Sequence, residues 1–402
     1  MTTQLRDLRA SFPALSSDVA YLDNAAGAML PRQTIEAITR FMSTLGGANV
    51  GGVFGLSEEV TALKARAREA SATFLNCLPG EVLLGPSATA LTWQLSRAFS
   101  KLWGPGDEVI VSELEHEANH SPWRALERFG VTVKVWRAKW PEGILDPADL
   151  QALLTRETRF VAMTGAANSI GSMTPIREAA ALAHSVGAWL LVDGVHVAPH
   201  HLPDVEALDV DFFVMSPYKV FGPHLGLMFV RRDLLPSLPA DKLSFVEDDN
   251  VTKFEPGTAQ HELWAGWLGS LAYLADLGGG AFSRETLRRA YARIEALEAP
   301  LVEHLVTGLA STDGVALYGR RSVEGRVGTA CFNVSGLAPR EAGRALAARG
   351  VAVATGHYYA ILPMEALGLL PNGAMRASIA HYTTHEEIER LLEGVRSLTG
   401  VS

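Results

Sequence analysis

Two cysteines, Cys77 and Cys331, are too few in 402 residues for a disulfide framework or an all-cysteine metal site. Such scarcity fits a reducing compartment, and a cytoplasmic location is expected. No run of about 18 apolar residues occurs, so no membrane span is expected. The opening stretch MTTQLRDLRASFP shows no apolar leader region. Lysine and arginine (35) are outnumbered by aspartate and glutamate (44), and they form no basic run, which argues against a nucleic-acid surface. Neither a G-x-G-x-x-G turn nor a G-x-x-x-x-G-K-[ST] loop is present, and no repeat or low-complexity tract is visible.

What the chain does have is alternation. Glu81–Leu84 reads as a short strand, and further strands are expected at Val109–Ser112, Val131–Trp136, Arg159–Thr164, Trp189–Val192, Phe212–Met215 and Leu227–Arg231. Helices are expected at Pro31–Leu45, Ser57–Asn76, Pro122–Phe129, Pro147–Leu154 and Pro175–Val186, the last three with proline in the first turn. Unbroken apolar runs such as Trp189-Leu190-Leu191-Val192 suit parallel strands buried on both faces. The fold class is therefore α/β, a mostly parallel sheet covered by helices. After about Pro236 the character changes. A long helix from about Ser283 to Leu309 precedes strands at Cys331–Val334, Val351–Ala354 and Met375–Ala380, with a helix at Pro339–Arg349. The last helix has a capping-box start in Thr384 and Glu387. Residues 21–282 are expected to form a large domain. Residues 1–20, an amphipathic edge segment, and 283–402 would form a smaller α+β domain.

Polar residues follow the strands at four places: His116, Asn168, Asp193, and Ser216 with Lys219. In open α/β sheets such strand ends face the ligand crevice. A lysine there forms a Schiff base with an aldehyde cofactor, and a carboxylate holds the cofactor's ring nitrogen protonated. Pyridoxal 5'-phosphate is the cofactor that needs both. The turn Ser87-Ala88-Thr89 at a helix N-terminus is a ready phosphate site, although Ser87 alone also reads as a simple helix cap. Arg376, in a mild strand, suits bidentate capture of a substrate carboxylate, and a surface ion pair is the competing reading. The small-residue turn at Ala25-Ala26-Gly27 lets backbone approach a ligand, as any tight turn would.

His116-Glu117-Ala118-Asn119-His120 matches the H-E-x-x-H zinc signature. That chemistry needs both histidines one turn apart on a helix. Pro122 disfavours helical backbone at Ser121, which reads as the N-cap of the next helix, so no metal is expected. His116 is better used as a flat ring against a flat cofactor.

At these residues the chain resembles class V aminotransferase-fold pyridoxal phosphate enzymes, closest to the cysteine desulfurase group with its selenocysteine lyase-like branch. The similarity runs through YLDNAA (21–26), SELEHEAN (112–119), AANSIG (166–171), VDGVH (192–196), SPYKVFGP (216–223), FEPGT (254–258), ATGHYYA (354–360) and MRASIAHYTTHEEI (375–388). It implies fold type I of the pyridoxal phosphate-dependent transferases, with a seven-stranded type of sheet. It further implies that Lys219 carries the cofactor, Asp193 meets the pyridine nitrogen and His116 stacks on the ring. Asn168 and His196 would lie near the ring hydroxyl. Ser87, Ala88, Thr89, Ser216 and Tyr218 would hold the phosphate. Gly257 and Thr258 would reach the site of a neighbouring subunit, making a homodimer with shared sites. Arg376, with Ala26, Asn168 and Tyr359, would hold an amino-acid substrate.

The departures bear on the reaction. Where the desulfurases place a persulfide-forming cysteine after a TGH-type turn, this chain has Thr355-Gly356-His357-Tyr358-Tyr359. Cys77 and Cys331 read as core thiols. A phenol holds no sulfane sulfur, so the pattern resembles the desulfurase-like branch that lacks this cysteine. That kinship makes a β-eliminating C–S lyase, which needs no cysteine nucleophile, the preferred expectation. A class V aminotransferase, an epimerase, or a protein that keeps the fold only for binding are the rivals.

Overall fold

Strands whose residues are apolar on both faces bury themselves at the centre of the molecule. In the structure, a computed structural model describing residues 8–16 and 18–400, seven of them form one sheet in the order β2-β8-β7-β6-β5-β3-β4. These are β2 (Val82–Gly85), β3 (Glu108–Ser112), β4 (Thr132–Trp136), β5 (Thr158–Thr164), β6 (Trp189–Asp193), β7 (Phe212–Met215) and β8 (Gly226–Val230). Only β8 runs against the others, pairing antiparallel with β7 and β2. The sheet is thus mixed α/β and mostly parallel, as expected from alternation.

Helices cover both faces. On one, Phe99 packs against Trp103 and Phe160 with ring centroids 4.2 and 5.0 Å apart. On the other, Ile110, Val161, Met163, Leu190 and Phe213 belong to the large core cluster. The Arg32–Thr44 and His261–Leu277 helices cross closely, because a Cβ at Gly269 would sit 2.5 Å from the Gln33 carbonyl oxygen. Burying this surface, at roughly 25 cal/mol per Å² of apolar area, is what holds the sheet between its helices.

Beyond the 27-residue helix Arg284–Ala310, a second sheet runs β12-β13-β10-β9. Its strands are β9 (Val315–Tyr318), β10 (Thr329–Val334), β12 (Ala354–Gly356) and β13 (Ala374–Ser378), all antiparallel. Leu317, Phe332 and Met375 pack with Leu305 of that helix and Leu391 of the last one, His385–Leu398. The expected Thr384–Glu387 capping box is present.

Three expectations need correction. Val351–Ala354 is not one strand: β11 (Val351–Ala352) pairs with β1 (Ala20–Tyr21), and Val353 divides it from β12 in the other sheet. The 122–129 helix begins at Ser121 and tightens into a 3-10 turn from Ala125 to Phe129, and His120 rather than Ser121 is its N-cap. Strand β9 was not anticipated, since its half-exposed VALY pattern carries little apolar signal. Much of the proposed edge segment 1–20 lies outside the described residues. Of the rest, Phe12 is buried against Phe221, Tyr273 and Tyr382.

Candidate active site

The carboxyl ends of the parallel strands open into two chambers that share His116, Asn168, Tyr218 and Lys219. Asp193 is the last residue of β6, where the register sets it between Thr164 of β5 and Val214 of β7. Its Oδ1 accepts from the Val195 backbone N–H at 2.9 Å. Burial, against the pull of Lys219, pushes its carboxyl up to about 6. Lys219 follows β7 on a short 3-10 turn, and its Nζ donates to the Ala25 carbonyl. Burial first, then the nearby Arg376 guanidinium, draws the lysine down to about 7.

His116 caps the 3-10 turn Glu117–Asn119 with its Nδ1 accepting from the Ala118 N–H at 2.9 Å. Burial, followed by the charge of Lys219, takes the imidazole down to about 4, so it is neutral near pH 7. The H-E-x-x-H stretch is therefore a turn and not a helix face, and His120 bonds Glu117 through Nδ1 at 3.1 Å. Among the described residues no group of three or more His, Cys, Asp or Glu is arranged for a metal ion.

Thr89 and Ala88 line the inner chamber at the N-terminus of the 12-residue Ala88–Phe99 helix, across from Ser216. Free backbone N–H groups and the helix dipole favour an anion at such an end. Strand β8 passes so close beneath this turn that a Cβ at Gly226 would be 2.3 Å from the Ser87 backbone. Ser87 itself stands outside the lining, its Oγ accepting from the Ala90 N–H at 3.1 Å. Gly257 and Thr258 are also outside it. Their segment is tied down by Glu255, which pairs with Arg68 at 2.7 Å and accepts from the Leu84 N–H at 3.0 Å.

Two buried atoms in the inner chamber have no protein partner: Asn168 Oδ1 and His196 Nδ1. Asn168 spends its Nδ2 on the Tyr358 carbonyl at 2.9 Å, and His196 Nε2 meets Thr329 Oγ1 at 2.9 Å. Unpaired buried polar atoms are costly, and their convergence beside a lysine, a carboxylate and a helix N-terminus fits a flat, polar-edged phosphate ester. The donor set therefore fits pyridoxal phosphate.

In the outer chamber Arg376 is buried yet fully engaged on two sides. It donates to the Asn168 carbonyl at 2.9 Å and to Asp23 Oδ1 at 3.2 Å, with its guanidinium 4.6 Å from the centre of the Tyr358 ring. Its Nε is unpaired. Ala26 and Tyr359 also line this chamber. Sequence reasoning missed Asp23, although it sits in the quoted YLDNAA stretch. It also missed Glu115, a fully buried carboxyl accepting from Asn119 Nδ2 at 2.7 Å and the Thr164 N–H at 2.6 Å. Burial, together with the nearby Asp193 carboxylate, pushes Glu115 up to about 8.

Neither thiol lines either chamber. Cys331 is buried in β10 opposite Arg376, and burial pushes it up to about 12. Cys77 borders a separate hollow of about 510 Å³ with Asn76, Glu81 and Arg231, which gathers no comparable set of unpaired groups.

The model of the family "Aminotransferase class-V" matches residues 20–391. The chain belongs to the class V aminotransferase family. It is 33% identical to a cysteine desulfurase of Shigella flexneri over 99% of both chains. It is also 32% identical to one of Pectobacterium atrosepticum, over 99% of this chain and 98% of that one. Among solved structures, the apo cysteine desulfurase of Thermococcus onnurineus superposes with a TM-score of 0.89 at 26% identity, covering 98% of each chain. The Escherichia coli desulfurase CsdA, in its S-sulfonic acid form, gives 0.84 at 27% over the whole of both. A complex of the cystine C–S lyase C-DES with cysteine persulfide gives 0.80 at 21% identity, over 96% of this chain and 99% of that one, a likeness of fold alone. This class V family member is thus a pyridoxal phosphate-dependent enzyme with fold type I architecture.

Proposed function

We propose that this enzyme is a β-eliminating C–S lyase acting on cysteine or a cysteine derivative. The observation that carries the reading is the pairing of a complete lysine–aspartate site with a cavity that no thiol lines. A persulfide route needs an enzyme sulfur at the substrate. Elimination needs none: the Cα proton and the β-sulfur leave, and water hydrolyses the resulting enamine to pyruvate and ammonia.

When bound, pyridoxal phosphate supplies an aldehyde for the amino group and a protonated ring that withdraws electrons from Cα. Asp193 would keep that ring nitrogen protonated, and a cation there would draw the aspartate back down from about 6 toward its ionised form. Lys219, titrating at about 7, is poised to take and return the Cα proton near neutral pH. Neutral His116 would pack on the ring. Asn168 and His196 would offer their unpaired atoms to its polar edge. Ala88, Thr89 and Ser216 would hold the phosphate, with Tyr218 beside Lys219. Arg376, aided by the backbone at Ala26, receives the substrate carboxylate.

Two features support a homodimer with shared sites. Val53 and Phe54 are bare at 96% and 58% exposure, and Thr258 does not line its own chamber, in keeping with a role at a second copy's phosphate. The seven-stranded and four-stranded sheets support a division into domains 21–282 and 283–402; residues 1–20 are grouped with the second, although Phe12 packs on Phe221 and Tyr273 of the first. No helix among the described residues is long and apolar enough to cross a membrane. We place the protein in the cytoplasm.

Incubating the cofactor-loaded enzyme with a panel of amino acids tests the reaction. Pyruvate with sulfide or a thiol supports elimination. Bleaching of the cofactor to its amine form, without pyruvate, overturns it in favour of transamination.

A further inference from the structure

The outer chamber, about 390 Å³, is within the range of small-molecule sites. Lys219 and Arg376 line it beside aromatic rings, Tyr218 against Lys219 and Tyr358 against Arg376, with His116, His357 and Tyr359 completing the lining. Tyr358 and Tyr359 carry φ of +50° and +57°, two consecutive left-handed residues where neither is glycine. Bulky side chains avoid that region, and a chain that holds two of them there is over-determined by its surroundings.

Those surroundings are visible. The Tyr358 carbonyl accepts from Asn168 Nδ2 at 2.9 Å, and its hydroxyl donates to the Ala374 carbonyl. The Tyr359 carbonyl accepts from the Glu117 N–H at 2.7 Å, and its own N–H donates to His357 Nδ1 at 3.0 Å. The Ala360 N–H closes the turn on the His357 carbonyl at 2.7 Å. The effect is to turn the Tyr358 ring inward under Arg376 and the Tyr359 ring outward. There Tyr359 stands 5.4 Å from His116 and 5.8 Å from His357, 65% exposed. An exposed aromatic ring held on strained backbone at the mouth of a cavity has no packing duty to explain it.

We infer that Tyr359 is a specificity-determining wall, and that the preferred substrate is an α-amino acid whose β-substituent is a flat ring or a bulky thioether rather than a bare thiol. The inference rests on the amino-acid-binding part of the functional reading above. Arg376 takes the carboxylate at one end. The β-substituent then extends toward the His116–Tyr359 pair, where an apolar or aromatic group gains ring contacts that a small side chain cannot reach.

The test is a titration of cofactor-loaded enzyme with L-alanine, S-methylcysteine, S-benzylcysteine and L-phenylalanine. The absorbance of the bound cofactor reports binding whether or not product forms. S-benzylcysteine and phenylalanine are expected to bind about three- to tenfold more tightly than alanine. Tyr359→Phe keeps that preference and Tyr359→Ala abolishes it. Equal affinities in the wild type, or a preference that survives Tyr359→Ala, overturn the inference. Tight S-benzylcysteine binding without pyruvate sinks the lyase reading and leaves the wall standing. Pyruvate from every sulfur substrate with flat affinities does the reverse.

Discussion

The two chambers solve the problem of holding reactive groups by different means. The inner one is built from the ends of regular strands, so Asp193 and Thr164 are fixed by backbone ladders they share with neighbours, and Lys219 is four residues beyond one. The outer one is built by a loop whose shape is imposed against local preference, with Tyr358 and Tyr359 both left-handed. A sheet edge gives a fixed position at no conformational cost. A strained loop gives a variable wall that costs stability. Chemistry common to a family suits the first, and substrate choice suits the second.

The largest expected effect belongs to the inner chamber. Lys219→Ala should lower turnover by about a thousandfold or more, because it removes both the cofactor's anchor and the base. Borohydride reduction followed by peptide mapping should label Lys219 in the wild type. Absence of that label would mean the inner chamber does not do the chemistry assigned to it.

Next comes the buried cation of the outer chamber. Arg376 is 3% exposed and braced by Asp23, Asn168 and Tyr358. Arg376→Leu should raise KM roughly a hundredfold, the scale for truncating one member of a buried charged pair. A matching fall in kcat with unchanged KM would show that Arg376 does not hold the carboxylate.

Glu115, buried behind the inner chamber and bonded to the Thr164 N–H of its wall, carries a pH signature. Its folded pKa, about 8, lies above the ordinary carboxylate value of 4.5. A raised pKa contributes stability that is complete below about 4.5 and is lost as pH rises through about 8. The thermal midpoint of cofactor-free protein should therefore fall between about pH 5 and about pH 9. Glu115→Gln should flatten that slope by roughly 2–4 °C, read from melts at the two ends. An unchanged slope would show that the Ser112, Asn119 and Thr164 donors keep Glu115 ionised throughout.

How much of this was readable beforehand follows the same division. Apolar runs such as Phe212–Met215 fix a strand, and the polar residue just past each run must then lie at the sheet's edge, so Asp193 and Lys219 were legible. Ser87 shows the limit: a hydroxyl before a helix reads equally as cap or ligand, and here its side chain caps. Asp23 carried no signal of its own, because its meaning comes from Arg376, 353 residues away in the chain. The break at Val353 was invisible in a run of mild residues that divides between two sheets. Nothing in the letters Tyr358-Tyr359 announces left-handed backbone, which bulky residues adopt only when the fold forces it.

That forcing leads to the smallest effect and the sharpest contrast. A left-handed conformation costs a residue other than glycine roughly 1–2 kcal/mol, and asparagine bears it more easily. Tyr359 is largely exposed, so Tyr359→Asn loses little burial and should stabilise the cofactor-free protein by about 0.5–1 kcal/mol. Tyr358 is 9% exposed, under Arg376, so the same change one residue earlier should destabilise by about 2–4 kcal/mol. Opposite signs at adjacent positions, measured by urea unfolding, would show that the chain trades stability for the outer ring alone. A loss at both would mean that Tyr359, too, is held for packing.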